Sequence, residues 1–194
     1  MISREEALSL IEEHVENKNI IKHMMALEAV MGGLWEELNK KEKDTGGTKE
    51  EYMMAGLLHD GDYCESVPPE KQGIQITKWA REKGFEIPDN VSHAMAAHNW
   101  KNTKIEPENL MDWAIFCADS LTGLIVAACL VLPSKKLNDL KVESVLKRFK
   151  EPAFAKGTRR DEIALCQEKL EISLDEFTKI SLNSMQSISS DLGL

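Results

Sequence analysis

A long apolar stretch near the middle of the chain constrains the fold more than any other feature. It runs from Trp113 to Leu132, and Asp119 is the only charged residue within it. The stretch has nearly the length needed to cross a bilayer, but a carboxylate inside lipid is costly and small or polar residues follow it. We therefore expect this stretch to be the central buried helix of a helical bundle.

Helix signals dominate the rest of the sequence. Ser3 with Glu6 and Thr48 with Glu51 have the spacing of the capping box that opens a helix. No segment has the sustained alternation of apolar and polar residues that is typical of a strand. The sequence predicts an all-α fold, with helices near residues 3–16, 19–43, 48–60, 69–83, 88–99, 107–131, 140–149, 158–171 and 173–190.

Length and charge favour one soluble domain. A chain of 194 residues can bury a sizeable core, and no segment resembles a linker, so we expect a single domain over residues 1–194. The formal net charge of -9 disfavours binding to long nucleic acids. The amino-terminal sequence lacks the apolar core of a signal peptide, which favours a cytoplasmic protein without a membrane partner.

The cysteines show no sign of a disulfide framework. They have no paired spacing, and three of them lie among apolar helical neighbours. We expect reduced thiols in the core rather than disulfide partners at Cys64, Cys117, Cys129 and Cys166.

Imidazoles and carboxylates on apolar segments carry the clearest chemical signal. His23 is in helical register with Ala26, Leu27 and Val30, which predicts that it faces the core. The adjacent pair His59-Asp60 comes directly after an apolar helical segment and before a glycine, so both side chains should project from a rigid helix end.

Asp119 needs a partner if its helix is buried, because an unpaired buried carboxylate costs several kcal/mol. A cation would serve, and so would the hydroxyls of Ser120 or Thr122. An inward histidine is, in the same way, more often a hydrogen-bonded core residue than a ligand. Imidazole nitrogens together with carboxylate oxygens suit a borderline-hard divalent cation, and the absence of Cys-x-x-Cys argues against a structural zinc finger.

The order of these residues resembles the HD superfamily of metal-dependent phosphohydrolases, which is named after its His-Asp pair. The resemblance covers about residues 18–135 and leaves about 136–194 as a helical extension. It implies a compact helical bundle that holds one divalent cation, without distinguishing Mn, Mg, Fe, Co, Ni and Zn. The ligands that it implies are His23, His59, Asp60 and Asp119.

One departure from the family form leaves the substrate open. The pair is commonly followed by an apolar residue and a glycine, whereas Gly61-Asp62-Tyr63 follows it here. The chain is most similar to the uncharacterised single-domain branch of the superfamily. Asp62 is a candidate to orient the attacking water or to protonate the leaving oxygen.

His98 is a second candidate acid or base. His93 and His98 are five positions apart, which sets them about 140° apart around a helix, so only one can face the site. His98 shares a stripe with Val91 and Met95 and is our choice, as a second-metal ligand or as a group that touches substrate. Binuclear members of the superfamily use additional histidines in this region, and a single candidate favours one metal ion.

A basic segment follows the Asp119 helix. Nine basic residues against three acidic ones lie between Lys135 and Arg160. A solvated cationic face explains this run at least as well as a phosphate site does. Lys135 and Lys136 would contact a substrate phosphate if their loop folds back toward Asp119.

These observations favour an enzyme that hydrolyses a small phosphoester, such as a nucleotide, with metal-activated water. The alternative is a domain that binds a nucleotide or other phosphorylated ligand without turnover, as a sensor or scaffold. The complete ligand set favours the enzyme, and a purely structural bundle would leave the His-Asp pair unexplained. The sequence leaves a homo-oligomer open.

Overall fold

A computed structural model describes residues 1–194 as α-helices joined by turns, with no strand. The predicted all-α fold is confirmed. In chain order the helices are α1 Arg4–His14, α2 Lys18–Lys40, α3 Lys49–Leu58, α4 Gln75–Glu82, α5 Asp89–His98, α6 Trp100–Thr103, α7 Leu110–Leu130, α8 Val142–Phe149, α9 Arg160–Ala164, α10 Cys166–Lys169, α11 Leu174–Ser187 and α12 Ser189–Leu192.

Helix α7 is the central helix of the bundle. By length and composition alone it could cross a membrane, but most of it is buried against other helices. It packs against α2, α5, α8 and α9, and residues such as Ile115 and Leu124 are fully buried. The expectation of a central buried helix is confirmed, and Asp119 lies near its middle.

Helices α2 and α3 make the most extensive helix pair in the molecule, and a glycine permits it. A Cβ atom at Gly56 would lie 2.8 Å from the carbonyl oxygen of Leu27 and 2.9 Å from Cα of Glu28. Only a residue without a side chain fits so close to the neighbouring backbone. This contact brings the carboxyl end of α3 against α2.

Helix ends match the sequence signals where the signal is local. The capping boxes of Ser3 and Thr48 are both formed. The predicted helix over 69–83 instead begins as a 3-10 turn and resumes at Gln75, because Gly73 has a φ of +84° and packs on the carbonyl of Met95. The predicted segments 158–171 and 173–190 are each divided in two.

The carboxyl-terminal helices belong to the same packed core as the rest. Helix α11 contacts α2 and α7, and α8 contacts α7 and α11. Side chains such as Val145 and Phe177 are fully buried within one continuous apolar cluster. The region after residue 136 therefore builds the bundle together with the motif-bearing helices.

Candidate metal centre

The four predicted ligand side chains come together from α2, from α7 and from the turn that directly follows α3. Nε2 of His23, on α2, lies 3.2 Å from Nε2 of His59 and 3.0 Å from Oδ1 of Asp119. Oδ2 of Asp60 lies 3.5 Å from Nε2 of His59 and 3.8 Å from Nε2 of His23. Ligand atoms about 2.1 Å from one shared cation lie about 3.0–3.5 Å apart, so these separations are close to those of a coordination shell.

Hydrogen bonds fix which nitrogen of each ring faces the cluster. Nδ1 of His59 donates to the carbonyl of Gly56 at 2.8 Å. The Thr122 hydroxyl donates to the carbonyl of Asp119 at 2.8 Å, so it accepts from Nδ1 of His23 at 3.0 Å. Both Nδ1 atoms are protonated donors, and both Nε2 atoms are left to bind a proton or a metal. The group formed by His23, His59 and Asp60 could hold a metal ion.

Each carboxylate has one oxygen in the cluster and one outside it. Oδ1 of Asp119 faces His23, whereas its Oδ2 accepts from Nη2 of Arg159. Oδ2 of Asp60 faces the two histidines, whereas its Oδ1 lies 3.5 Å from Nε2 of His98. Outer partners of this kind orient metal ligands.

The cluster is strongly coupled by charge. Burial opposes the charged form of His23, but the Asp119 and Asp60 carboxylates outweigh it and raise the pKa of His23 above its usual range. Burial also opposes ionisation of Asp60, yet His59 and His98 hold the pKa of Asp60 well below its usual range. Burial opposes ionisation of Asp119 as well, and His23 lowers the pKa of that carboxyl group. The centre is therefore built to hold positive charge between two carboxylates.

His98 lies behind Asp60 rather than in the open cleft. Only 7% of it is exposed, and its Nδ1 donates to the carbonyl of Met95. It does not line the cleft, where a substrate contact was predicted, and its Nε2 faces Oδ1 of Asp60. Its role as a ligand of a second metal stays a prediction. His93 faces away from the cluster, as its helical register predicted, and its Nδ1 lies 2.9 Å from Oδ2 of Asp112.

Asp62 has a structural position that corrects its predicted role as acid or base. It is fully buried, and its carboxylate accepts from the backbone N–H of Gly73 at 2.8 Å and of Ile76 at 2.9 Å. Burial raises the pKa of Asp62, and these N–H groups oppose the rise. With both oxygens occupied at the amino end of α4 and away from the cleft lining, Asp62 is not placed to transfer a proton to substrate.

A cleft of about 520 Å³ opens onto the cluster. His23, Asp60 and Asp119 form its floor, and Lys156 and Arg159 are the basic residues that line it. Lys135 and Lys136 are exposed and do not line the cleft. Helix α7 runs a further 11 residues beyond Asp119, about 16 Å, before the loop that carries them, and the structure does not bring them to the metal centre.

Sequence reasoning did not single out Arg159 and Glu162. Nε of Arg159 lies 2.5 Å from Oε2 of the buried Glu162, whose other oxygen lies 2.7 Å from Nζ of Lys101. Arg159 was within the basic run, but the run contains eight other cations and nothing local marks the one that reaches Asp119. Glu162 lies three residues after Arg159, and this helical spacing is the one local signal that pairs the two side chains.

The resemblance to the HD superfamily rests on the order of four residues along the sequence. The all-helical fold is compatible with that superfamily without identifying it. No protein-family model matches this chain, and neither a curated protein nor a solved structure matches it.

Proposed function

We propose that the protein is a metal-dependent phosphohydrolase that acts on a small phosphoester. One divalent cation would be held by His23, His59, Asp60 and Asp119. The observation that carries this proposal is the convergence of two Nε2 atoms and two carboxylate oxygens at an open cleft. The two Nε2 atoms lie 3.2 Å apart, and each lies 3.0–4.0 Å from both carboxylate oxygens.

The chain's own residues supply the rest of the chemistry. A divalent cation in such a site supplies hydroxide near neutral pH and offsets charge on a phosphoryl oxygen. Asp60 and Asp119 balance its two charges, so the neighbouring Lys156 and Arg159 remain to attract an anionic substrate. Arg159 and His98 fix the orientation of the two carboxylates through their outer oxygens.

Phosphate release from a panel of nucleotides and simple phosphoesters, with and without Mn²⁺, tests the proposal. We expect release that requires the metal, stops with a chelator and falls to background in Asp60→Ala. Asp175→Ala is the matched control, because Asp175 is exposed and forms no ion pair. Release that survives both the chelator and Asp60→Ala would overturn the proposal. Ligands that raise the melting temperature without any release would favour the sensor or scaffold alternative.

A further inference from the structure

The loop between α8 and α9 forms one wall of the cleft, and a single arginine holds its shape. The Arg160 guanidinium donates to the carbonyl of Phe149 at 2.8 Å, of Glu151 at 3.0 Å and of Phe154 at 2.6 Å. It also reaches the carbonyl of Arg148 at 3.3 Å. These acceptors span the end of α8 and the following turn, so one side chain folds the loop back onto the carboxyl end of α8.

The residues that follow this clamp line the metal cleft. Ala155, Lys156, Gly157, Thr158 and Arg159 all line the same cavity as the proposed metal ligands. Lys156 has no acidic partner, and the backbone N–H groups of Lys156 and Gly157 donate to no other backbone group. The loop therefore carries one ammonium group without an acidic partner and two backbone amides without an acceptor, on residues that line the cleft.

Arg159 is fixed in place by two carboxylates. Asp119 engages its Nη2 and Glu162 engages its Nε, while Lys101 neutralises the far oxygen of Glu162. A guanidinium group has five N–H donors, so these two contacts leave donors free for a ligand in the cleft. The planar group is therefore already oriented before a ligand arrives.

We propose that residues 155–159 bind the dianionic phosphate group of a phosphomonoester and that Arg160 is the positioning residue of this loop. The proposal deepens the proposed function and rests on it. With a divalent cation in place, Asp60 and Asp119 are balanced, and Lys101 pairs with Glu162 and with the exposed Asp161, none of which lines the cleft. The unbalanced charges that line the cavity are those of Arg159 and Lys156. Two positive charges match a phosphomonoester, which carries about two negative charges above a second pKa of about 6, better than a phosphodiester, which carries one.

Calorimetric binding of methylphosphonate and dimethyl phosphate to the Mn²⁺-loaded full chain at pH 8.5 tests this assignment. The first probe is a dianion that cannot be hydrolysed, and the second is a monoanion. We expect methylphosphonate to bind at least about ten-fold more tightly. In protein loaded with diamagnetic Zn²⁺ instead of paramagnetic Mn²⁺, its addition should also shift the backbone amide NMR signals of Lys156 and Gly157.

Three variants test whether methylphosphonate binding depends on the loop or on the positive charge of the surface in general. Lys156→Ala and Arg160→Lys should each weaken methylphosphonate binding by roughly ten-fold or more, because each removes charge-assisted hydrogen bonds or their alignment. Lys135→Ala, in the same basic run but outside the cleft, should leave binding unchanged. Manganese content measured on the same samples should stay equal in all three.

The possible outcomes distinguish a failure of the phosphate-binding loop from a failure of the proposed metal centre. If both variants retain manganese and Lys156→Ala binds methylphosphonate as tightly as Lys135→Ala does, the loop proposal is overturned and the metal centre is not. Equal affinity for dimethyl phosphate would overturn the monoester preference. Failure of the wild-type chain to hold manganese would overturn the proposed metal centre, and with it the charge balance on which this inference rests.

Discussion

At the scale of single residues, three of the four proposed ligands have their outer polar atom hydrogen-bonded to another protein group, and the outer oxygen of Asp60 lies 3.5 Å from Nε2 of His98. Gly56 holds His59, Thr122 holds His23, Arg159 holds Asp119 and His98 faces Asp60. The Nε2 atoms and the carboxylate oxygens that face the cluster are thus held in position without a bound ion. The ligand side chains lose their conformational entropy during folding and not when a cation binds, which favours tight binding of a cation.

Replacing Asp62 should affect stability and leave the metal centre intact. In the wild type the carboxylate of Asp62 accepts from the backbone N–H groups of Gly73 and Ile76. Asp62→Asn replaces one of these acceptor oxygens with an NH₂ donor. A buried N–H group that loses its acceptor costs about 1–3 kcal/mol. We expect a lower urea midpoint with the same metal content as wild type. Asp175→Asn should change neither, and loss of metal in Asp62→Asn would show that Asp62 belongs to the centre.

The metal-free protein should lose stability as pH rises past the ordinary histidine range. Burial lowers the pKa values of His23 and His98, but the carboxylates of Asp119 and Asp60 outweigh burial and raise both pKa values above the ordinary value. Each protonated ring therefore stabilises the fold, and this contribution is complete below about pH 6.5. That contribution is lost as pH rises through the raised values. Melting temperatures of chelator-treated protein from pH 6 to 9 should fall, and the fall should be smaller in His23→Gln. A rise over this range would contradict the charge assignment.

The residues that meet at the candidate metal centre could be predicted from the sequence because their signals are local. His23 follows from helical register, and Asp119 stands out because it interrupts an apolar helix. Asp62 was misassigned and Arg159 was not singled out, because their partners lie 11 or more residues away at Gly73 and Asp119. Nothing near either residue in sequence indicates those contacts.

At the scale of elements, the α2–α3 contact determines whether His59 can meet His23. Gly56 is the point of closest approach, and its carbonyl also accepts from His59. A wider spacing between these helices would separate the two Nε2 atoms. Packing of the pair and geometry of the site are therefore coupled.

Gly56→Ala should destabilise the protein by about 1–3 kcal/mol, because the added methyl group overlaps the backbone of α2. Gly123→Ala is the matched control in α7, where a Cβ meets nothing within 4 Å. It should stabilise the protein by about 0.4–1 kcal/mol, since alanine restricts the unfolded chain. Urea unfolding of both variants checks the pair. Equal effects would show that α2 and α3 are not in close contact at Gly56.

Element boundaries were predictable where capping was local and not where packing decides. Ser3 and Thr48 open helices as their capping boxes predict. The break before α4 depends on Gly73 lying against the carbonyl of Met95 and on the Asp62 carboxylate that accepts from its amino end. Both contacts are tertiary, so hydrophobic periodicity alone gave one continuous helix there.

At the scale of the whole molecule, one continuous apolar core runs through both the motif-bearing helices and the carboxyl-terminal helices. Three of its members are the buried thiols Cys117, Cys129 and Cys166. Burial raises the pKa of each of these thiols, that of Cys166 to about 12. The fold therefore protects them from reaction in the native state.

Titration with a thiol reagent at pH 8 should modify one cysteine quickly in the native protein and all four after denaturation. The fast thiol should be Cys64, which alone is partly exposed. Cys64→Ser should remove the fast phase and leave the melting temperature nearly unchanged. Rapid modification of two or more thiols in the native protein would contradict the packed core.

The metal-to-protein ratio shows whether His23, His59, Asp60 and Asp119 hold a cation. It should be measured by elemental mass spectrometry on protein purified without a metal-affinity column, beside Asp60→Ala and the exposed control Asp175→Ala. We predict about one divalent metal per chain in wild type and Asp175→Ala, and none in Asp60→Ala; about two in wild type would make His98 a ligand. No retained metal after incubation with Mn²⁺ and gentle desalting, or equal metal in Asp60→Ala, would contradict a metal centre at this site.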